Sequence, residues 1–162
     1  SIVPRAELRA FVGDRALAGV WAAEALRVAA WRPRLGFETD HRTLVQEVDW
    51  LRSAVHLHKG CYRGQEAVAR VHNLGNPPRR LVFLHLDGSG HVLPERGAEV
   101  FGAGMPSGRA IGVVTSVARH AELGPIALAL VKRSTPVDAA LVVADGAGGP
   151  GIAAAQEVIV AP

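Results

Sequence analysis

A chain of 162 residues and 17.0 kDa, 49% hydrophobic and 20% charged, has the composition of a folded protein with a real core, in one domain or two small ones, not of a disordered segment. Its formal net charge is +3, and its single cysteine, Cys61, excludes an internal disulfide framework. No apolar run approaches the roughly 20 residues that span a bilayer, and SIVPRAELRAFVG lacks the basic-then-apolar layout of a signal peptide, so the expectation is a soluble cytoplasmic protein with no membrane partner.

In chain order, PRAELRAFVG (residues 4–13) predicts a short helix with Pro4 in its first turn and Gly13 as its stop. WAAEALRVAAW, from Trp21 to Trp31, is rich in strong helix formers, and Pro33 ends it. Residues 44–52 place Leu44, Val48 and Leu51 at helical spacing. SAVHLHKG alternates at Val55, Leu57 and Lys59 and reads as a brief strand. GQEAVARVHNLG predicts a helix with Val68 and Val71 on one face and Gly75 as its stop.

The character changes at Asn76-Pro77-Pro78. RRLVFLHLDG runs apolar into Asp87-Gly88, a hairpin signal. AEVFGAG, AIGVVTSVARH (with Gly112 at a bulge or bend), GPIALALVKR, DAALVVADG and QEVIVAP follow as strands, and such spacing predicts a small sandwich or barrel. The fold class is therefore α+β, with residues 1–75 mixed and residues 76–162 all-β. The first 75 residues read as the closing part of a domain whose earlier strands are missing.

Sixteen of the 18 cations are arginine, and charge is unevenly spread: Arg27 to Arg80 holds 10 Lys/Arg against 5 Asp/Glu, the rest 8 against 10. An anionic ligand fits such a span, and so does a solvated basic face. With few aromatics to stack bases and no recognisable binding motif, nucleic acid is not expected.

The chemistry concentrates in HLHKGCYRGQE, residues 56–66. Cys61 precedes the helix expected near Gly64, between Lys59 and Arg63, and thiols become thiolates near cations and helix N-termini. Gly60 and Gly64 permit a tight turn. Set against an exposed, activated thiol is a buried small hydrophobe, the commoner state of a free cysteine. His56 and His58, on one face of a strand near Cys61, fall short of the three or four ligands of a metal site, so no metal is expected. GAGMPSG at 102–108 and GAGGPG at 146–151 lack the layout of phosphate-binding loops and read as plain loops. Glu47 and Asp49 could form an acid pair.

KGCYRGQE, residues 59–66, resembles the signature K-G-C-Y-x-G-Q-E of the YgfZ family, folate-binding relatives of the glycine-cleavage T protein, an aminomethyltransferase. ALRVAAWRPRLGFETD resembles the segment upstream of that signature, VARVHNLGNPPRRLVFLHLDG the helix and first barrel strand downstream, and AIGVVTSVARH and IALALVKR later strands. The likeness covers nearly the whole chain, but only the second half of a family member. It implies the closing part of an α+β folate-binding domain (residues 1–75) followed by an antiparallel β-barrel (76–162). It implies a part in iron–sulfur cluster assembly or repair, with tetrahydrofolate as cofactor and iron–sulfur client enzymes or cluster-assembly proteins as partners, along with the missing N-terminal half of the fold.

By the same likeness Cys61 is the functional thiol, and Lys59, Gly60, Tyr62, Arg63, Gly64, Gln65 and Glu66 are motif members. Arg34, Arg63 and Arg70 are candidate contacts for the anionic glutamate tail of a folate. One departure stands out: aminomethyltransferases carry a pterin-holding acid close to where this chain has Ala29, between Val28 and Ala30. Two other readings share the sequence: a tetrahydrofolate-dependent aminomethyltransferase, which needs no such cysteine, and a non-catalytic interaction module docking clients on an exposed barrel edge.

Overall fold

The structure is a computed structural model describing residues 2–104, 108–146, 149 and 151–162. Six strands follow the helical segment: β1 (Arg79–Leu86), β2 (Glu99–Gly102), β3 (Gly112–His120), β4 (Gly124–Lys132), β5 (Leu141–Val143) and β6 (Ile152–Val158). They close into a barrel in the order β1-β4-β3-β2-β5-β6, every neighbouring pair antiparallel. Among the described strands closure leaves no free edge of the kind expected for an interaction module.

Strand alternation sorts the side chains into two cores. Val82, Leu84 and Leu86 of β1 point inward with Ala127, Ala129 and Val131 of β4, and small residues there let the barrel close tightly. Leu81 and Phe83 point outward with Ile126, Leu128 and Leu130, under a helical layer that contributes Ala25, Val28 and Val48. The wall made by β1 and β4 is therefore buried on both faces along Leu81–Leu84 and Ile126–Val131, which is why those two stretches read as unbroken apolar runs.

The Asp87-Gly88 signal does not make a hairpin. β1 pairs with β4 and β6, not with β2. Asp87 instead folds its carboxylate onto the backbone N–H and hydroxyl of Ser89, which hold its pKa below the ordinary carboxylate value. The last strand is Ile152–Val158, four residues earlier than QEVIVAP suggests, and Val160 leaves the sheet to donate its N–H to the Leu81 carbonyl. In β3 the register slips between Val114 and Ser116, so the bulge lies there and not at Gly112. The glycine-rich stretches 102–108 and 146–151 lie partly outside the described residues.

The helical layer begins with the expected short helix, a 3-10 turn Arg5–Glu7 running into α1 (Leu8–Val12), which Gly13 ends at φ 53°. The second helix, α2 (Val20–Ala29), packs on β3 and β4. The segment 44–52 is not one helix: a 3-10 turn, Val45–Val48, is separated from α3 (Trp50–Ala54) by Asp49 in the left-handed region at φ 59°. SAVHLHKG forms no strand, because the closed barrel offers nothing to pair with; it ends α3 and continues as a turn. Finally α4 (Gln65–Leu74) follows the cysteine motif. No helix among the described residues is long and apolar enough to cross a membrane.

Candidate functional site

The motif is built on the start of α4. Gly64, immediately before the helix, has φ 84°, a conformation that side chains disfavour, so the second motif glycine is required by backbone geometry. Gln65 donates its N–H to the Tyr62 carbonyl at 3.2 Å and accepts the Tyr62 N–H on Oε1 at 3.3 Å, locking the turn onto the helix. The Lys59 ammonium lies over the Tyr62 ring, 5.3 Å from its centre. Within this turn Cys61 is exposed, which removes the buried-hydrophobe reading.

A surface groove of about 710 Å3 runs beside it, lined by Tyr62, Gly64, Gln65, Glu66 and Arg70 with Leu44, Ala67 and Val71. So Arg70 and four of the motif residues share one wall, while Cys61, Lys59, Gly60 and Arg63 are exposed and do not line it. Arg34 is elsewhere. Its guanidinium pairs with Glu24 at 2.6 Å and lies 3.4 Å from the centre of the Phe37 ring, whose vicinity also holds Arg96 at 4.2 Å. The His56 and His58 rings meet edge to face, 6.3 Å apart, in a turn instead of a strand. Among the described residues no group of three or more His, Cys, Asp or Glu is placed to hold a metal.

Two buried carboxylates that the sequence did not single out as anchors secure this region to the barrel. Glu47 accepts both Arg79 Nε at 2.9 Å and Arg79 Nη2 at 2.8 Å, and also the Leu44 N–H at 3.1 Å. It does not pair with Asp49, which turns outward to Arg52. Next to it Gln46 donates Nε2 to the Val68 carbonyl at 2.9 Å, so one 3-10 turn holds both β1 and α4. Glu38 is the other anchor. It accepts the Arg34 N–H at 2.7 Å and the Ser116 hydroxyl, and Arg27 bridges Ser116 and Glu24. Both carboxylates lie in segments that must be buried, and each finds its barrel partner far away in sequence, Arg79 for Glu47 and Ser116 for Glu38.

Arg79 also reaches Asp40 at 3.6 Å. The Thr43 hydroxyl and the Arg42 N–H, each 2.8 Å from Oδ1, and then Arg79, bring the Asp40 pKa from 3.8 down to about 2. A depressed carboxylate pKa stabilises the fold fully above pH 3.8, and that contribution is lost as pH falls through about 2. Carbon NMR of the Asp40 carboxyl is expected to titrate near pH 2; a midpoint near 4 would contradict the three contacts.

The place of the pterin-holding acid offers none. Ala29 is half-buried against the outer core, and the nearest acid on its helix, Glu24, is committed to Arg27 and Arg34. The residues present thus do not fit a pterin held in the usual way. No protein-family model matches this chain, and no curated protein matches it either.

Proposed function

We propose that this chain is the second half of a YgfZ-like accessory protein for iron–sulfur enzymes, in which Cys61 handles the iron of a cluster passing to or from a client. The observation that carries the reading is the signature KGCYRGQE folded as a turn at the start of α4, with an exposed thiol next in sequence to Tyr62, which lines a groove with Gln65, Glu66 and Arg70. Residues 1–75 are then the closing part of a folate-binding-type domain, completed by the N-terminal half of the fold, and partners are iron–sulfur clients or assembly proteins. Tetrahydrofolate enters no step here, because the chain lacks an acid for the pterin near Ala29; that lack also counts against aminomethyl transfer.

Chemically the step is simple. Cys61 loses its proton to solvent, and the thiolate Sγ forms a bond to one cluster iron as the bond from that iron to a client thiolate breaks; the displaced thiolate takes up a proton from solvent, and no oxidation state changes. Its exposure lets a large, protein-bound cluster approach, which a buried thiol would forbid. Lys59 and Arg63 on either side favour an anionic cluster electrostatically. Incubation with ferrous iron and sulfide without oxygen should give thiolate-to-iron absorption in the visible that Cys61→Ser lacks; a wild-type chain without that absorption contradicts the proposal.

A further inference from the structure

The charges of the cysteine motif are left uncompensated by the rest of the chain. Five acids lie between Arg27 and Arg80, and four are consumed by ion pairs: Glu38 with Arg27, Asp40 and Glu47 with Arg79, and Asp49 with Arg52. Arg34 is held by Glu24. Among the described residues the fifth acid, Glu66, makes no ion pair, and neither do Lys59, Arg63 and Arg70, all three exposed. Residues 59–70 thus carry three cations against one acid, a formal excess of two. Glu66 and Arg70 stand one turn apart on α4, the spacing at which such residues pair, yet they do not, so Arg70 keeps its donors for a partner.

Arg70 lines its groove with an aliphatic floor of Leu44, Ala67 and Val71. Leu44 and Val71 are only half-buried, so part of their apolar surface is open to whatever lies in the groove. Gln65 Oε1 is taken by the Tyr62 N–H, which leaves Nε2 as the atom of that amide free to donate. The groove therefore couples two donors suited to a carboxylate with a floor suited to an aliphatic side chain. Bases find little there: Tyr62 is the single aromatic residue lining the groove, and the Lys59 ammonium stands over its ring.

We propose that this groove docks an acidic, leucine-bearing segment of the client protein, with one carboxylate on Arg70 and Gln65 Nε2 and one aliphatic side chain on Leu44, Ala67 and Val71. Lys59 and Arg63, in the turn that carries Tyr62, add attraction for the acidic residues on either side of that carboxylate. The proposal rests on the reading of Cys61 as a thiol that serves clients, and supplies the means by which a client is held at the motif.

Titration of the whole chain with a short peptide of glutamate and leucine tests this, against the same peptide with lysine for glutamate and against single-stranded oligothymidine, all at one low ionic strength. One saturable site is expected for the acidic peptide, at least about tenfold tighter than either control and weakening as salt is added. Arg70→Glu should weaken it at least about tenfold, the loss of a charge-assisted hydrogen bond. Arg119→Glu should leave it unchanged, because Arg119 stands opposite Pro125, at the other end of β4 from the Lys132 that faces Arg79. The backbone amides of Gln65, Ala67, Arg70 and Val71 in the wild-type chain should shift on saturation, a readout independent of any variant's folding. No saturable binding of the acidic peptide, equal binding of the lysine peptide or of oligothymidine, equal loss in both arginine variants, or amide shifts confined to other regions would each overturn the docking site. Peptide binding needs no iron, so its failure with the thiolate-to-iron absorption intact strikes the docking alone, and absorption missing with binding intact strikes the role of the thiol alone.

Discussion

Glu47→Ala is expected to destabilise the protein by about 3 kcal/mol, the low end for breaking a buried ion pair, because Arg79 keeps some contact with solvent. Glu47 has 1% of its side chain exposed and Arg79 31%, so the pair is closer to buried than to superficial. The substitution removes both bonds to Arg79 and the acceptor of the Leu44 N–H. It also loosens the turn that carries Gln46, hence the hold on α4. For a chain of this size the melting temperature should fall by roughly 10 °C. Arg79→Met added to Glu47→Ala should recover part of the loss, since no half-buried guanidinium held only by the more distant Asp40 then remains. A fall below about 1 kcal/mol in urea unfolding would mean that the pair is not an anchor.

Gly112→Ala should cost about 3 kcal/mol, the upper end for forcing atoms into a packed site. A Cβ at this position would lie 2.5 Å from the Leu130 carbonyl oxygen and 2.9 Å from the Val131 Cα, both backbone atoms of the neighbouring strand. Neither can swing aside as a side chain would, so β3 and β4 must separate where they are buried. Calorimetry reads this directly, and an unchanged melting temperature would contradict the close approach. Gly112 therefore matters for closeness of the strands, whereas the change of register is carried by Val114 and Ser116.

The barrel strands were legible because their apolar runs are long and two of them are buried on both faces. Their pairing was not. Asp87-Gly88 reports only local turn chemistry, and what places β1 between β4 and β6 is closure of the whole sheet. Val55, Leu57 and Lys59 alternate as a strand would, but alternation has no consequence without a partner, and a closed barrel supplies none. The split of 44–52 at Asp49 follows from the need to turn Glu47 inward while Arg52 and Asp49 stay outside. Glu47 itself finds its partner 32 residues away, a separation that a reading of neighbours cannot see.

The cysteine motif was the most legible part of the site. Its glycine at 64, its turn and its helix are where the spacing puts them, and the exposure of Cys61 removes the buried state that the local chemistry left open. The grouping of Arg70 with the motif, and of Arg34 away from it, came only with the fold: Arg70 lies on the groove face of α4, while Glu24 and Phe37 hold Arg34 at the other layer.

Under the proposed function Cys61 serves iron–sulfur enzymes through its thiol. An exposed Cys→Ser change should leave the melting temperature within about 1 °C of wild type, since surface substitutions stay within about 0.5 kcal/mol. The decisive measurement is the activity of an iron–sulfur enzyme in cells deprived of their own protein with this motif and supplied with this chain joined to the N-terminal half of such a fold. The wild-type motif should restore it and Cys61→Ser should restore at most a tenth as much. Equal restoration by the serine variant, or none by either, would contradict the account.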